Sequence, residues 1–324
     1  MPPRWDAQPP ILPDHADRCL DPDPAVPDEE SFTILQRGRG LSWTGKEGDA
    51  MPDVWATVTE LDAPTQELLA DVLETRGEHP QQQAMRRDFL ADVPFPPRAR
   101  VLEVGCGTGV LTRVLAGWHN VGSVVGVDVA PTLLERARGL AAALTNVTFD
   151  EADARSLPFE DEAFDTVVFD STLCHVPGPE DALSEAFRVL RASGRLAAFE
   201  GDYATTTVAL GDHDPLQACV DAMVAGSVTD GRIVRRLPGL VGGCGFEIES
   251  FRSHGFVEAS SGDYMLSIVD RGADSLCSAG QIGEDTAAAL KAEARRRVDA
   301  GSFFGHIAYG SIVARKPAPG SGSR

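Results

Sequence analysis

Apolar and polar positions along the chain change their period near residue 98. Upstream, between about Val54 and Ala91, apolar residues recur at helical spacing, and Pro80 divides the stretch into at least two predicted helices. From Arg98 onward, short apolar runs alternate with helical segments. Such alternation predicts an α/β fold in which a mostly parallel sheet is covered by helices on both faces.

The alternating region predicts five strands in its first part. They lie at 101–104, 124–127, 147–149, 166–169 and 196–199, and the predicted helices between them cover 110–118, 131–144 and 181–191. Beyond Gly201 the alternation loosens. Helices are predicted over 216–224, 233–241 and 284–298, and strands over 246–251 and 303–314.

The same pattern divides the chain into five segments. Residues 1–50 are rich in Pro, Asp and Gly and predict a flexible arm, and 51–97 form a helical N-terminal cap. Residues 98–202 hold the regular alternation and are the expected ligand-binding core. Residues 203–316 are expected to supply a substrate-binding lid and to complete the sheet, and 317–324 form a flexible tail.

Composition narrows the classes of partner. The 324 residues include 49 Asp and Glu against 29 Lys and Arg, a formal net charge of −20. Nucleic-acid-binding proteins usually carry a basic face, so DNA and RNA are not expected as substrates. The six cysteines form no CxxC pair, so neither a metal site nor a disulfide framework is expected. Without a signal-peptide pattern or a membrane-spanning apolar run, the protein is expected to be soluble and cytoplasmic.

A glycine-rich turn follows the first predicted strand and opens the first helix of the core, in the sequence VLEVGCGTG over residues 101–109. Glycines let the backbone approach a ligand closely, and the helix N-terminus supplies N–H donors, which is a nucleotide-binding arrangement. The dinucleotide fingerprint G-x-G-x-x-G needs a third glycine where this chain has Val110. The spacing therefore disfavours a nicotinamide oxidoreductase, although this class of enzyme is still an alternative.

Further motifs follow the next predicted strands. Asp128 closes the second strand, where a carboxylate can accept both ribose hydroxyls of a nucleotide; capping of the following helix is the alternative. The third strand leads into EADA over 151–154, and the fourth forms FDTVVFDSTLCHVP over 164–177. The next helix and turn carry EAFRVLRASGRL over 185–196.

These motifs, in this order over residues 98–202, resemble the class I S-adenosylmethionine-dependent methyltransferases, and especially the small-molecule enzymes of the ubiquinone and menaquinone biosynthesis type. The resemblance implies a Rossmann-like, doubly wound, mostly parallel seven-stranded sheet with helical N-terminal and inserted lid elements. It also implies S-adenosylmethionine as the cofactor, covered by a helix near 81–90. One departure is Ser193, where this family prefers glycine.

The resemblance implies which residues hold that cofactor. Asp128 would bind the ribose, and Val129 would lie against the adenine face. Asp153 and Ala154 would fix the adenine edge. The complete implied set is Glu103, Gly105, Cys106, Gly107, Thr108, Gly109, Asp128, Val129, Asp153, Ala154 and Asp170.

At the methionine end, the resemblance places Glu103, which would hold the amino group through water, and Asp170. The sulfonium of this cofactor is already activated, so alignment of a nucleophile with the methyl group supplies much of the rate. A base is needed only where the acceptor must lose a proton. His175 and Glu200 follow the fourth and fifth strands, both expected beside the first, and are the candidate acid–base pair; a packing role is the alternative for His175.

The sequence thus predicts methyl transfer to carbon, nitrogen or oxygen of a small molecule, in secondary metabolism. The run DSTL after the fourth strand departs from the N/D-P-P-aromatic motif of nucleic-acid methyltransferases. A different class remains as the alternative: a protein that keeps the cofactor as a structural or electrostatic element and catalyses a rearrangement. A monomer and a homodimer are both compatible with the sequence.

Overall fold

The computed structural model describes residues 53–259 and 263–318, so the predicted arm over 1–50 and residues 319–324 of the predicted tail lie outside the described residues. A short 3-10 turn, Val58–Glu60, comes first. The helices are α1 Ala63–Glu78, α2 Pro80–Ala91, α3 Val110–Ala116, α4 Pro131–Leu140, α5 Pro179–Val189, α6 Pro215–Ser227, α7 Ile233–Gly243, α8 Asp263–Ser278 and α9 Glu284–Asp299. The strands are β1 Ala99–Val104, β2 Val121–Asp128, β3 Val147–Glu151, β4 Phe164–Asp170, β5 Leu190–Thr207, β6 Glu247–Glu258 and β7 Gly305–Arg315.

The described strands form one sheet in the order β3-β2-β1-β4-β5-β7-β6. The pairs from β3 to β5 are parallel, and β7 is antiparallel to both of its neighbours, β5 and β6. This arrangement confirms the predicted Rossmann-like, mostly parallel seven-stranded sheet.

Two hydrophobic cores cover the two faces of the sheet. Successive side chains of a strand point to opposite faces, so Val167 packs in one core and Val168 in the other. Leu183 of α5 belongs to the first core, and Leu111 of α3 and Ile268 of α8 belong to the second. Burial on both faces explains why the central strands read as continuous apolar runs.

The predicted N-terminal helices are confirmed. The Asp62 carboxylate accepts the backbone N–H of Thr65 and caps α1, and Pro80 opens α2. Gly77 of α1 lies against the Val110 side chain at the start of α3, with no room for a Cβ atom. Helix α1 therefore lies beside the helix that the glycine-rich turn opens. None of the helices in 53–259 and 263–318 is long and apolar enough to cross a membrane.

Two elements differ from the prediction. Strand β5 has 18 residues instead of the four predicted, because it begins at Leu190, which pairs with β4, and continues to pair with β7 beyond Phe199. Helix α8 was not predicted from the sequence, although Met265, Ile268 and Val269 form its buried face. Gly272 of α8 lies directly against the backbone of Cys219 in α6, so a glycine is needed where the two helices approach.

Candidate active site

A cavity opens at the carboxyl ends of β1, β2 and β4, the edge at which parallel α/β sheets bind ligands. Its walls combine the turn after β1, helices α1 and α2, and helices α6 and α8 from the second half of the chain. Of the residues that the resemblance implies for the cofactor, all but Gly109 line this cavity. His175 lines it as well, and Glu200 does not.

The glycine-rich turn has a backbone conformation that side chains rarely adopt. Gly105, Gly107 and Gly109 have φ angles of 71°, 53° and 77°, all in the left-handed region. A Cβ atom on Gly105 would overlap Thr172, and one on Gly107 would overlap Leu73. The turn therefore presents bare backbone to the cavity at Gly105 and Gly107. Gly109 has the same left-handed conformation but does not line the cavity.

Asp128, at the end of β2, holds the turn in place. Its Oδ2 accepts the N–H of Gly107 at 2.8 Å, and its Oδ1 accepts the N–H of Ala130 at 2.9 Å. Burial raises the pKa of this carboxyl, although the amides of Ala130, Gly107 and Val129 act in the opposite direction. The carboxylate thus links the glycine-rich turn to Ala130 and also lines the cavity, whereas the N-cap residue of α4 is Ala130 and no side chain caps this helix.

An apolar surface and a polar edge lie beside each other past Asp128. Val129 leaves 37% of its surface exposed, and it faces the cavity. The Asp153 carboxylate pairs with Arg155 at 2.7 Å, and this hydrogen bond lowers the pKa of Asp153. The Thr108 hydroxyl lines the same cavity and has no hydrogen-bond partner among the described residues. This part of the cavity therefore has one apolar wall, one paired carboxylate and one hydroxyl without a partner among the described residues.

Glu103 lies in the floor of the cavity, within β1. Its carboxylate accepts the hydroxyl hydrogen of Thr112 and is almost fully buried. The pKa of Glu103 is raised to about 8, mainly by burial and in part by the charge of Asp170, while the Thr112 hydrogen bond acts in the opposite direction. Such a carboxyl can change protonation state when a charged ligand arrives.

A buried ion pair closes the methionine end of the predicted site. Asp170 Oδ2 lies 2.6 Å from Arg86 Nε, and both side chains are almost fully buried. Arg86 Nη1 has no hydrogen-bond partner among the described residues. Arg86 belongs to α2, which contains the segment 81–90 that was expected to cover the cofactor. The sequence did not predict that Arg86 pairs with Asp170 of β4.

His175 is oriented by an acidic residue from outside the core. Its Nδ1 lies 2.8 Å from Asp53 Oδ2, and the same carboxylate accepts the N–H of Trp55 and the N–H and hydroxyl of Thr229. Burial alone would raise the pKa of Asp53, but the hydrogen bond and the charge of His175 lower it, with help from Trp55 and Thr229. Sequence reasoning missed Asp53 because it lies 122 positions before His175, where no local pattern marks it.

The geometry corrects the expected placement of Glu200. The sheet order puts β5 beside β4 and β7, so β4 separates it from β1 and the expected adjacency to the first strand was wrong. Because β5 runs to Thr207, Glu200 lies inside the strand rather than after it. It is fully buried, and its Oε1 accepts the N–H groups of Thr172 and Leu173 at 2.9 and 2.8 Å. Glu200 therefore positions the loop that carries His175.

The second half of the chain supplies the remaining cavity wall. Tyr203 of β5, Met223 of α6 and Tyr264 and Arg271 of α8 all line it. No sequence signal marked the α8 residues. The cavity therefore joins the glycine-rich turn and the lid helices in one space.

Residues 102–198 match the "Methyltransferase domain" family. Two curated relatives are named demethylmenaquinone methyltransferase. That of Symbiobacterium thermophilum is 36% identical over 124 residues, which cover 37% of this chain and 49% of the relative. That of Staphylococcus aureus is 33% identical over 129 residues, which cover 40% of this chain and 54% of the relative. The chain thus spans about half the length of these methyltransferases.

A longer match is to an uncharacterised 37.1 kDa protein in transposon TN4556 of Streptomyces fradiae, 29% identical over 294 residues, with 89% of this chain and 81% of the relative covered. Two solved structures share the fold. A Bacillus halodurans protein described as a candidate methyltransferase has a TM-score of 0.53 at 20% identity, covering 72% of this chain and 98% of its own. The 4+2 cyclase SpnF has a TM-score of 0.51 at 24% identity, covering 83% and 98%.

Proposed function

We infer that this chain, which carries a class I S-adenosylmethionine-dependent methyltransferase domain and takes S-adenosylmethionine as its cofactor, transfers a methyl group to a small-molecule acceptor in secondary metabolism. One observation carries the acceptor side of this proposal. The residues of the cofactor motifs line the same cavity as His175, Tyr203 and Tyr264, so an acceptor held by the lid helices would lie next to the cofactor.

The cavity fits the adenosine part of the cofactor. Gly105 and Gly107 line the cavity with backbone alone, and Thr172 and Leu73 pack so closely that neither position has room for a Cβ atom. The exposed face of Val129 suits the adenine ring, and the Thr108 hydroxyl is free to form a hydrogen bond. Asp128 has both oxygens engaged with amides, but each carboxylate oxygen can accept a further hydrogen bond from a ribose hydroxyl. We assign the adenine edge to Asp153 and Ala154.

The methionine part fits the charged groups on the other side of the turn. Glu103, whose pKa is raised to about 8, would lose its proton on receiving the ammonium group. Asp170 would face the same group while Arg86 keeps it in place. Arg76 of α1, which has Asp170 among its electrostatic neighbours, would neutralise the carboxylate.

Proton removal is assigned to His175, with Asp53 as its positioning residue. The bound cofactor supplies an electrophilic methyl group on a sulfonium. The Asp53 carboxylate can only accept hydrogen bonds, so it fixes the proton of neutral His175 on Nδ1 and leaves Nε2 as the basic atom. Nε2 then accepts a proton from the acceptor's hydroxyl, amine or acidic carbon, and Asp53 stabilises the imidazolium that forms.

Two features support a small acceptor rather than a macromolecule. Helices α6 and α8 stand over the cavity and contribute side chains to its wall. The net charge of −20 opposes binding of a polyanion such as DNA or RNA. The segment 203–316, which holds these helices, is accordingly proposed as the substrate-binding lid.

Thermal unfolding tests the cofactor part of the proposal. A ligand at 100 times its Kd adds about 2.7 kcal/mol to the stability, so S-adenosylhomocysteine should raise Tm by several degrees and NAD should not. Gly107→Ala should abolish the shift, because its Cβ would overlap the Leu73 side chain at a φ that side chains rarely adopt, and the turn would have to move. Gly139→Ala is the matched control, since a Cβ there meets no atom within 4 Å. Stabilisation by NAD alone would contradict the proposal.

A non-methylating rearrangement is the second candidate, because the 4+2 cyclase SpnF has this fold. Incubation with candidate small molecules and cofactor labelled in its methyl group separates the two. Methyl transfer predicts label in the product and one S-adenosylhomocysteine per turnover. An isomerised product that carries no label would favour the rearrangement.

A further inference from the structure

Two cationic side chains in the cavity wall have no described counterion. Arg76 of α1 and Arg271 of α8 both line the cavity, and neither forms an ion pair with a carboxylate in residues 53–259 or 263–318. The other described arginines that lack an ion pair lie on the exposed surface. Arg76 Nε has no hydrogen-bond partner, and Arg271 Nε has one long bond, 3.3 Å, to the carbonyl of Ser267 in its own helix.

In the part of the chain that the structure describes, the groups that act most strongly on these arginines are neutral or already paired. Tyr203 and Tyr264 lie near both guanidinium groups, and Asp170, whose charge acts on Arg76, is paired with Arg86. Burial lowers the pKa of Arg271, and the positive charge of Arg76 acts in the same direction. Arg271 is half-buried, and a cation held partly out of water without a carboxylate partner costs stability that a bound anion would restore.

The cofactor brings one carboxylate, which is enough for one of the two arginines. Arg76 is the arginine with Asp170 as a neighbour, so it lies on the methionine side. Arg271 comes from α8, far outside the matched domain of residues 102–198, on the lid side with Tyr264. After the cofactor binds, the cationic group of Arg271 remains for the acceptor.

We propose that the acceptor carries an anionic group, a carboxylate or a phosphate, and that Arg271 binds it. This inference rests on the proposed function, since it assumes that the lid side of the cavity is the acceptor site. The guanidinium presents paired N–H donors that match both anions in a bidentate fashion. Tyr203 and Met223 line the space beside it and would contact the uncharged body of the acceptor.

The test compares acids with neutral molecules of the same shape. Calorimetry on protein saturated with S-adenosylhomocysteine would measure the affinity of 4-hydroxybenzoate against 4-hydroxybenzamide, and of phenyl phosphate against dimethyl phenyl phosphate. At least one anion is expected to bind about tenfold or more tightly than its neutral partner, the effect of one charge-assisted hydrogen bond or more. The pair of compounds that shows the preference identifies the anion as carboxylate or phosphate.

Substitutions of Arg271 test whether this side chain binds the anion. Arg271→Met should reduce the preference to less than about threefold while S-adenosylhomocysteine binds as in wild type, and Arg271→Lys should keep part of it. Arg252→Met is the matched control, because it removes an exposed cation that pairs with Asp92 away from the cavity. Equal affinity for both members of each pair, including no binding of either, overturns the proposal, as does an undiminished preference in Arg271→Met. Failure of wild type to bind S-adenosylhomocysteine would instead contradict the proposed function.

Discussion

His175 Nδ1 lies 2.8 Å from Asp53 Oδ2, so a residue of the segment before α1 orients the imidazole at the end of β4. The same carboxylate oxygen accepts the N–H and hydroxyl of Thr229, which follows α6. Three parts of the chain that are far apart in sequence therefore meet at one carboxylate. An arrangement of this kind makes the position of His175 depend on Asp53.

The first prediction concerns the tautomer of His175. Because Asp53 only accepts hydrogen bonds, neutral His175 should carry its proton on Nδ1, which ¹⁵N NMR can measure without knowledge of the acceptor. Asp53→Asn should lose this preference, since an amide can donate as well as accept. The exposed His119 is the internal control and should not change. An Nε2–H tautomer in wild type would remove His175 as the proposed base.

The pair of His175 and Asp53 should also affect the turnover rate, which can be measured once an acceptor is known. General base catalysis typically contributes about 10²–10⁴-fold, so His175→Ala should reduce kcat by that order while calorimetry gives an unchanged affinity for S-adenosylhomocysteine. Normal turnover by a stable His175→Ala variant would mean that catalysis rests on alignment alone.

The second prediction separates Glu200 from the chemistry. Glu200→Ala leaves the buried N–H of Leu173 and the partly buried N–H of Thr172 without a partner, at about 1–3 kcal/mol each. The free energy of unfolding in urea should therefore fall by at least about 2 kcal/mol. Glu200→Gln keeps one oxygen in the same place and should retain both stability and turnover. A stable Glu200→Gln variant with a hundredfold lower kcat would show that the carboxylate takes part in the reaction.

The sequence was sufficient for the parts of the site that short segments encode. A strand that runs into glycines and then into a helix requires left-handed φ angles in a fixed order, so the turn at Gly105 to Gly109 could be placed from the sequence alone. Ser193, the departure from the family pattern, has a φ of 63°, which explains why glycine is preferred there. Likewise, residues directly after β2 and β4 had to meet at one edge of a parallel sheet.

Interactions between distant segments were not predictable in the same way. Asp53 lies in a stretch with no periodicity, and its role depends on α6 and β4 meeting it. Glu200 was misplaced because its position depends on sheet order and on how far β5 pairs with β7. Arg271 belongs to a helix that packs on α6 and α9, and such packing overrides weak local patterns.

The third prediction concerns Asp128. Both of its oxygens accept backbone N–H groups, so Asp128→Asn must place an amide NH₂ against the N–H of Gly107 or Ala130. Asp128→Ala and Asp128→Asn should each weaken S-adenosylhomocysteine binding by about tenfold to a hundredfold, the value of one charge-assisted hydrogen bond. Calorimetry measures the affinity, and urea unfolding measures the accompanying loss of stability. Unchanged affinity in a folded variant would leave Asp128 with the loop-capping role only.

The last prediction follows from the raised pKa of Glu103. The folded protein keeps this carboxyl protonated up to about pH 8, whereas its ordinary pKa is 4.5. Between these values the folded state binds more protons than the unfolded state, so the contribution of Glu103 to stability falls as the pH rises from about 4.5 to about 8. Glu103→Gln should therefore gain stability relative to wild type across that window and no further above it.

Cofactor binding should change the protonation of the Glu103 carboxyl. An ammonium group beside Glu103 favours the ionised carboxylate, so S-adenosylhomocysteine should release a proton near pH 7 and bind more tightly as the pH approaches 8. Calorimetry in buffers with different ionisation enthalpies measures the release directly. Burial also raises the pKa of Asp128 and Glu200, so the comparison must be made between wild type and the single Glu103→Gln variant. Equal proton release in the two proteins would show that the ammonium group lies elsewhere.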